Sequence, residues 1–246
     1  MTQVMERTET YVLGHSPEEL RRLDAQGAIL RPYTERLLRE AGIGPGMRVL
    51  AAAQARAAAR ALPRVSFIEG DIAAIDEMDP FDAVVGRLIL AHQPDPSAVL
   101  RRLAGQVRPG GVMAFGEILV LSPAPGWPER LLFQRAVRWL FDGLRRGGVH
   151  NEMGIRLHAT FVDAGLPAPH VRLDGVAVSG ADRDRLAWLV DTIRSLLPAI
   201  ERFGVATAAE VGIDTLQDRL LEEATATGGA VCGAFFGGAW VRTPAT

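Results

Sequence analysis

The sequence predicts an α/β fold: a mostly parallel sheet with a C-terminal antiparallel strand and a helical cap. Two observations carry this. In the first half, short apolar runs alternate with amphipathic helical stretches, the signature of strand–helix–strand units. In the second half, longer helical segments dominate and a final strand, Val231 to Val241, comes last.

The elements follow in order. Ser16-Pro17-Glu18-Glu19 has a hydroxyl cap, Pro at the first helical position and Glu three residues after the cap. Leu20, Leu23, Gly27 and Leu30 recur at helical spacing, and Pro32 is expected to interrupt. A second short helix is expected from Thr34 to Ala41, with Gly42 as its C-cap. Gly42-Ile43-Gly44-Pro45-Gly46 has the glycine content of a dinucleotide fingerprint. It precedes the strand Met47 to Leu50 rather than following one, so it reads as a cap and turn. Ala51 to Leu62 has helix-forming composition, and Pro63 ends it. Val65 to Glu69 reads as a strand, and Phe81 to Gly86 as a buried parallel strand. A helix is expected from Pro96 to Val107, a turn at Arg108-Pro109-Gly110-Gly111, and a strand from Val112 to Leu121.

Beyond this, Glu129 to Arg146 is amphipathic, with Phe133, Val137, Leu140, Phe141 and Leu144 on one side. Helices are expected over Glu152 to Ala164 and Asp182 to Phe203, and a strand over Val171 to Val178. Another helix is capped by Asp214, with Gln217 three residues on. The last strand is expected to bend at Gly237-Gly238. One domain is read over 1–246: an N-terminal helical arm at 1–46, a core sheet at 47–121, and cap helices with terminal strands at 122–246. Periodicity marks Leu20, Leu23, Leu30, Val84, Val85, Leu100, Leu103, Phe133, Val137, Leu140, Leu189, Leu220 and Val231 as core.

Composition narrows the classes. The chain has 246 residues, 48% hydrophobic and 23% charged, with a formal net charge of −2. That balance is globular and argues against nucleic acid as a partner. All 27 basic residues are Arg, which with the abundant Ala, Gly and Pro reads as a GC-rich genome. Cys232 is the single cysteine, which rules out a disulfide within the chain and fits a cytoplasmic location. No run approaches about 18 apolar residues, so no membrane helix is expected. His150 and His158 lack ligand spacing, and neither CxxC nor HExxH occurs, so no metal is expected.

Several segments in order resemble a family. They are YVLGHSPEELRRL, GIGPGMRVL, LPRVSFIEGDI, FDAVVGRLILAHQPDP, VLRRLAGQVRPGGVMAFGE and VGIDTLQDRL. Together they are similar to the bacterial class I S-adenosylmethionine-dependent methyltransferases of the ubiquinone/menaquinone-methyltransferase-like group. The resemblance implies a Rossmann-like sheet, S-adenosylmethionine as cofactor and a small-molecule acceptor, with a homodimer among the assemblies. It also implies site residues. Tyr11 lies in the arm that covers the cofactor, where its ring would close over a sulfonium, or else packs as part of a terminal arm. Asp71 lies beside the adenine, or simply caps a helix, and Ile72 offers a backbone N–H. Arg87 ends a central strand near the cofactor, or makes a surface ion pair.

Two residues are read as catalytic. Glu117, in the strand after RPGG, is a carboxylate able to face the acceptor and take a proton, or a polar residue at the strand's wet end. His92, near the same edge, is a proton carrier or a loop histidine.

The sequence departs from the family at one place. After Leu50 the family pattern continues into an acidic residue and a GxGxG loop; here the chain runs into AAAQARAAAR. About one strand–helix–strand unit, on the order of 30 residues, is missing. The expected consequences are weak or absent binding of S-adenosylmethionine and a shortened sheet, with Val65 to Glu69 pairing directly and in parallel with Met47 to Leu50. Two functions remain: a small-molecule methyltransferase, or a non-catalytic relative that binds a partner or dimerises, or is an inert product.

Overall fold

The computed structural model describes residues 17–52, 72, 79–179 and 182–245. Two compact units appear among them.

The first unit gathers described residues of 17–29, 122–147 and 178–231. Its body is three helices: α3 (Leu131–Arg146), α5 (Arg183–Arg202) and α7 (Ile213–Thr227). They pack on one another through Phe133, Val137, Leu140, Leu189, Ile193, Leu196 and Leu220, all buried. Gly143 lets α3 and α5 approach, since a Cβ there would sit 2.7 Å from Leu196 Cδ2. Helix ends are finished by charge. The Glu223 carboxylate of α7 accepts from the amides of Leu132 and Phe133 at 2.7 and 3.0 Å, capping α3. Arg130, just before α3 and fully buried, donates back to the carbonyls of Gly228 and Gly229 at the end of α7. Asp182 caps α5 through the Arg185 amide. Asp214 is not a cap: the short helix α6 (Ala208–Val211) intervenes, with a capping box of Thr207 and Glu210, and Gly212 in the left-handed region precedes α7. Gly126-Trp127 forms a short strand, β4, antiparallel to Ala230-Val231.

The second unit holds described residues of 30–121, 148–177 and 232–245. Its strands are β1 (Val49–Ala52), β2 (Phe81–Arg87), β3 (Val107–Leu119) and β6 (Ala230–Arg242), in the order β1-β2-β3-β6. The first three run parallel and β6 antiparallel to β3, as expected for a Rossmann-like sheet. β5 (His170–Ser179) pairs with β6. One face of the sheet, Ala83, Val112 and Ala114, packs on Leu37 and Ala41. On the other, Phe115 meets Phe161 of α4 (Met153–Asp163) edge-on, with ring centroids 6.0 Å apart. α2 (Pro96–Ala104) starts at Asp95, whose carboxylate accepts from the Ala98 amide.

Three expectations are corrected. Pro32 does not divide the first helix: α1 runs Pro17–Glu40 through it, and the Thr34 hydroxyl donates to the Leu30 carbonyl in the adjacent turn. The helix ends on Gly42, with the Ile43 amide bonded to the Leu38 carbonyl. β1 extends through Ala51 and Ala52, because pairing with Val85 and Gly86 of β2 outweighs alanine's helical preference. The Arg108–Gly111 stretch lies inside β3 as an irregularity, where the pairing moves from Phe81↔Val107 to Ala83↔Val112. β6 runs unbroken through Gly237-Gly238, where its ladder with β3 is continuous. Gly237 also serves a contact: a Cβ on it would overlap the Gly154 backbone of α4.

Of the expected core residues, Leu30, Val84, Leu100, Leu103, Phe133, Val137, Leu140, Leu189, Leu220 and Val231 are buried; Leu23 and Val85 are half-buried. The side chain of Leu20 lies outside the described residues, as do residues 53–62 and the expected strand Val65 to Glu69, so the proposed pairing of that strand with β1 is not addressed. No helix among the described residues is long and apolar enough to cross a membrane.

The glycine contact gives a test. Gly237→Ala is expected to lower stability by about 1–3 kcal/mol, because backbone and not a flexible side chain stands in the way. Gly27→Ala, in α1 with open space around it, is expected to be neutral or to raise stability by about 0.5–1 kcal/mol. Urea midpoints of the two variants against the parent check both.

Candidate functional site

Ligands of parallel α/β sheets bind outside the carboxyl ends of the strands. In the second unit that edge is where β2 ends. Arg87, its last residue, is exposed. Leu88 then takes φ 55°, a conformation that costs a branched residue about 1–2 kcal/mol and turns the chain sharply. Its amide is held by the Gly116 carbonyl at 2.9 Å. A single 3₁₀ turn, Leu90–His92, follows.

That turn has no side-chain cap of its own. Its amides are taken by Glu117, one residue beyond Gly116 on β3. One carboxylate oxygen accepts from Ile89 at 2.9 Å and Leu90 at 2.8 Å, and the other from Ala91 at 3.4 Å. The start of a helical turn exposes unpaired N–H groups, so an anion is favoured there. Glu117 is wholly buried. Burial pushes its carboxyl up while the three amides pull it down, and burial prevails: the group titrates at about 7.

The opposite side of the turn is held by the loop before α4. The His150 amide donates to the Ala91 carbonyl at 2.8 Å. Its ring Nε2 lies 3.1 Å from the Gln93 carbonyl, and its Nδ1 lies 3.2 Å from the Arg156 guanidinium. A carbonyl only accepts and a guanidinium only donates, so these contacts pair Nε2–H with Gln93 and Nδ1 with Arg156. The Asn151 carbonyl takes the Val120 amide at 3.0 Å, tying this loop to the end of β3. Gly154 lies against the backbone of Glu117 and Gly237: a Cβ on it would be 3.0 Å from the Glu117 carbonyl.

The structure therefore brings Arg87, His92 and Glu117 to one edge. His92 is half-buried at the end of the turn. Glu117 does not stand at a wet strand end or face open space; both of its oxygens are committed to backbone. Ile72 is half-buried, and Tyr11 and Asp71 lie outside the described residues. His150 and Arg156 were not anticipated. A histidine is legible in sequence, but the carbonyls that orient it come from residues about 60 positions away. No cluster of metal-ligating side chains occurs among the described residues.

A profile of a methyltransferase-domain family matches residues 41–136. Trans-aconitate 2-methyltransferase of Azoarcus sp. (strain BH72) is 28% identical over 103 residues, a match that covers 35% of this chain and 40% of that relative's length. Among solved structures, a proposed methyltransferase of Bacillus halodurans C-125 superposes with a TM-score of 0.50 at 14% identity, over 85% of this chain and 98% of its own.

The titration of Glu117 sets a pH dependence. Its folded value lies above the ordinary 4.5, so its contribution to stability is complete below about 4.5 and is lost as pH rises to about 7. Relative to Glu117→Gln, the parent is expected to lose on the order of 3 kcal/mol across that window. Denaturation midpoints of both proteins at pH 4.5, 6 and 8 check it; parallel pH curves would refute it.

Proposed function

We propose that this chain is a member of the class I S-adenosylmethionine-dependent methyltransferases, a small-molecule methyltransferase by descent that binds its cofactor weakly. The observation that supports a ligand edge is the turn at the end of β2, anchored on Glu117 with Arg87 and His92 at its two ends. Glu117 acts through that turn, and His92 is the proton-accepting candidate for the acceptor. The acceptor is a small molecule, the chain 1–246 works as one methyltransferase domain in the cytoplasm, and a homodimer is its assembly.

The sequence after β1 offers no glycine to cradle the methionine end of the cofactor. β1 ends on Ala51 and Ala52, and the sequence holds no glycine between Gly46 and Gly70. Gly86, the glycine at the end of β2, is not a cradle, because the Phe115 ring fills the space beside it. Methyl transfer depends chiefly on alignment of the nucleophile with the methyl carbon, so a donor held loosely at that end is aligned poorly. The same observation favours a second reading, a non-catalytic relative that binds a partner.

Calorimetry with S-adenosylmethionine on the full chain tests this. Each missing hydrogen bond is worth about 0.5–3 kcal/mol, so a dissociation constant weaker than about 100 μM is expected. A value in the low-micromolar range would overturn weak binding. Complete absence of heat and of labelled-methyl transfer at millimolar cofactor would favour the non-catalytic reading.

A further inference from the structure

We propose that Glu117 and His150 are positioning residues that hold the turn 88–93 between them, and so fix where Arg87 and His92 stand at the carboxyl edge of the sheet. What the turn presents rests on the methyltransferase reading above; how it is held does not.

The geometry carries this in three steps. First, the turn's own bonds are few: His92 N–H to the Ile89 carbonyl at 3.2 Å and Gln93 N–H to the Leu90 carbonyl at 3.1 Å. It is one 3₁₀ turn without a side-chain cap, and it begins on Leu88 in the left-handed region, a conformation that must be maintained by its surroundings. Second, its unpaired groups are matched in both directions. The three amides of Ile89, Leu90 and Ala91 face one carboxylate on β3, and the carbonyls of Ala91 and Gln93 face the amide and ring of His150. Third, both holders are themselves fixed. Glu117 sits in a ladder paired to Gly237 of β6, and His150 is oriented by Arg156, whose donation to Nδ1 leaves Nε2–H for Gln93. A carboxylate buried only for packing would find donors wherever they lay. Here the donors are consecutive amides of the one segment that separates Arg87 from His92.

The test is residue-specific amide hydrogen exchange on the ¹⁵N-labelled full chain at pH 8, without cofactor, together with the ring resonances of His92. In Glu117→Gln the amide oxygen can replace the acceptor of Ile89 and Leu90, but an NH₂ group faces Ala91. Ile89 and Leu90 are therefore expected to exchange within about threefold of the parent, and Ala91 about tenfold faster. Glu117→Leu is expected to speed all three at least tenfold. In His150→Phe the amides facing Glu117 stay protected while the His92 ring signals shift, as they do in Glu117→Gln. The proposal is overturned if Ala91 is as slow in Glu117→Gln as in the parent, if exchange rises equally across β3, or if the His92 signals do not move in either variant. Because Glu117→Gln keeps two of three contacts, the test stands even where Glu117→Leu does not fold. No arm of it requires cofactor binding, so a failure of the methyltransferase reading leaves a separate signature.

Discussion

A carboxylate cut off from water has to find hydrogen-bond donors, and Glu117 finds three in consecutive backbone amides. That constraint organises the second unit. It puts a charged group in the central strand, where its neighbours on either side, Gly116 and Ile118, belong to the ladder with β6. It obliges β2 to end where it does, so that the chain can turn back over β3. It also demands close covering by backbone, which Gly154 and Gly237 supply by having no side chain to keep α4 away from the sheet.

The first unit solves a related problem by exchange. The start of α3 needs acceptors and the end of α7 needs donors. Neither helix supplies its own: α3 takes the carboxylate of Glu223 from α7, and α7 takes the guanidinium of Arg130 from the residue before α3. Each charge also opposes the partial charge of the helix end it meets. Removing either side chain would leave the helix end it meets without its partner, and fully buried Arg130 has its guanidinium met there by the Gly228 and Gly229 carbonyls.

Much of this was legible in sequence. The period of the apolar residues gave the parallel strands, the helices of the first unit and nearly all of the tested core, because burial of one face leaves a direct mark on residue order. The resemblance to a Rossmann-like sheet, with ligands at the carboxyl ends of its strands, pointed to the edge where Arg87, His92 and Glu117 stand. What could not be read were partners distant in sequence. The role of Glu117 depends on amides 26 to 28 positions earlier, and that of His150 on a carbonyl 57 positions earlier. Backbone groups carry no sequence signal, so a glutamate in an apolar strand announces that donors exist without saying which. The errors have the same origin. Ala51 and Ala52 are good helix formers drawn into a strand by a neighbour, and Pro32 sits in a helix whose continuation is decided by packing rather than by local preference.

The contact between Gly154 and Gly237 has a mechanical consequence. Where side chains interpose, a helix can slide over a sheet by changing rotamers; where backbone touches backbone there is no such slack. α4 is pinned at its first turn to the middle of β6 and to the strand that carries Glu117. The first turn of α4 therefore cannot shift over the sheet by rotamer changes, and the Glu117 backbone is held against it on the same contact.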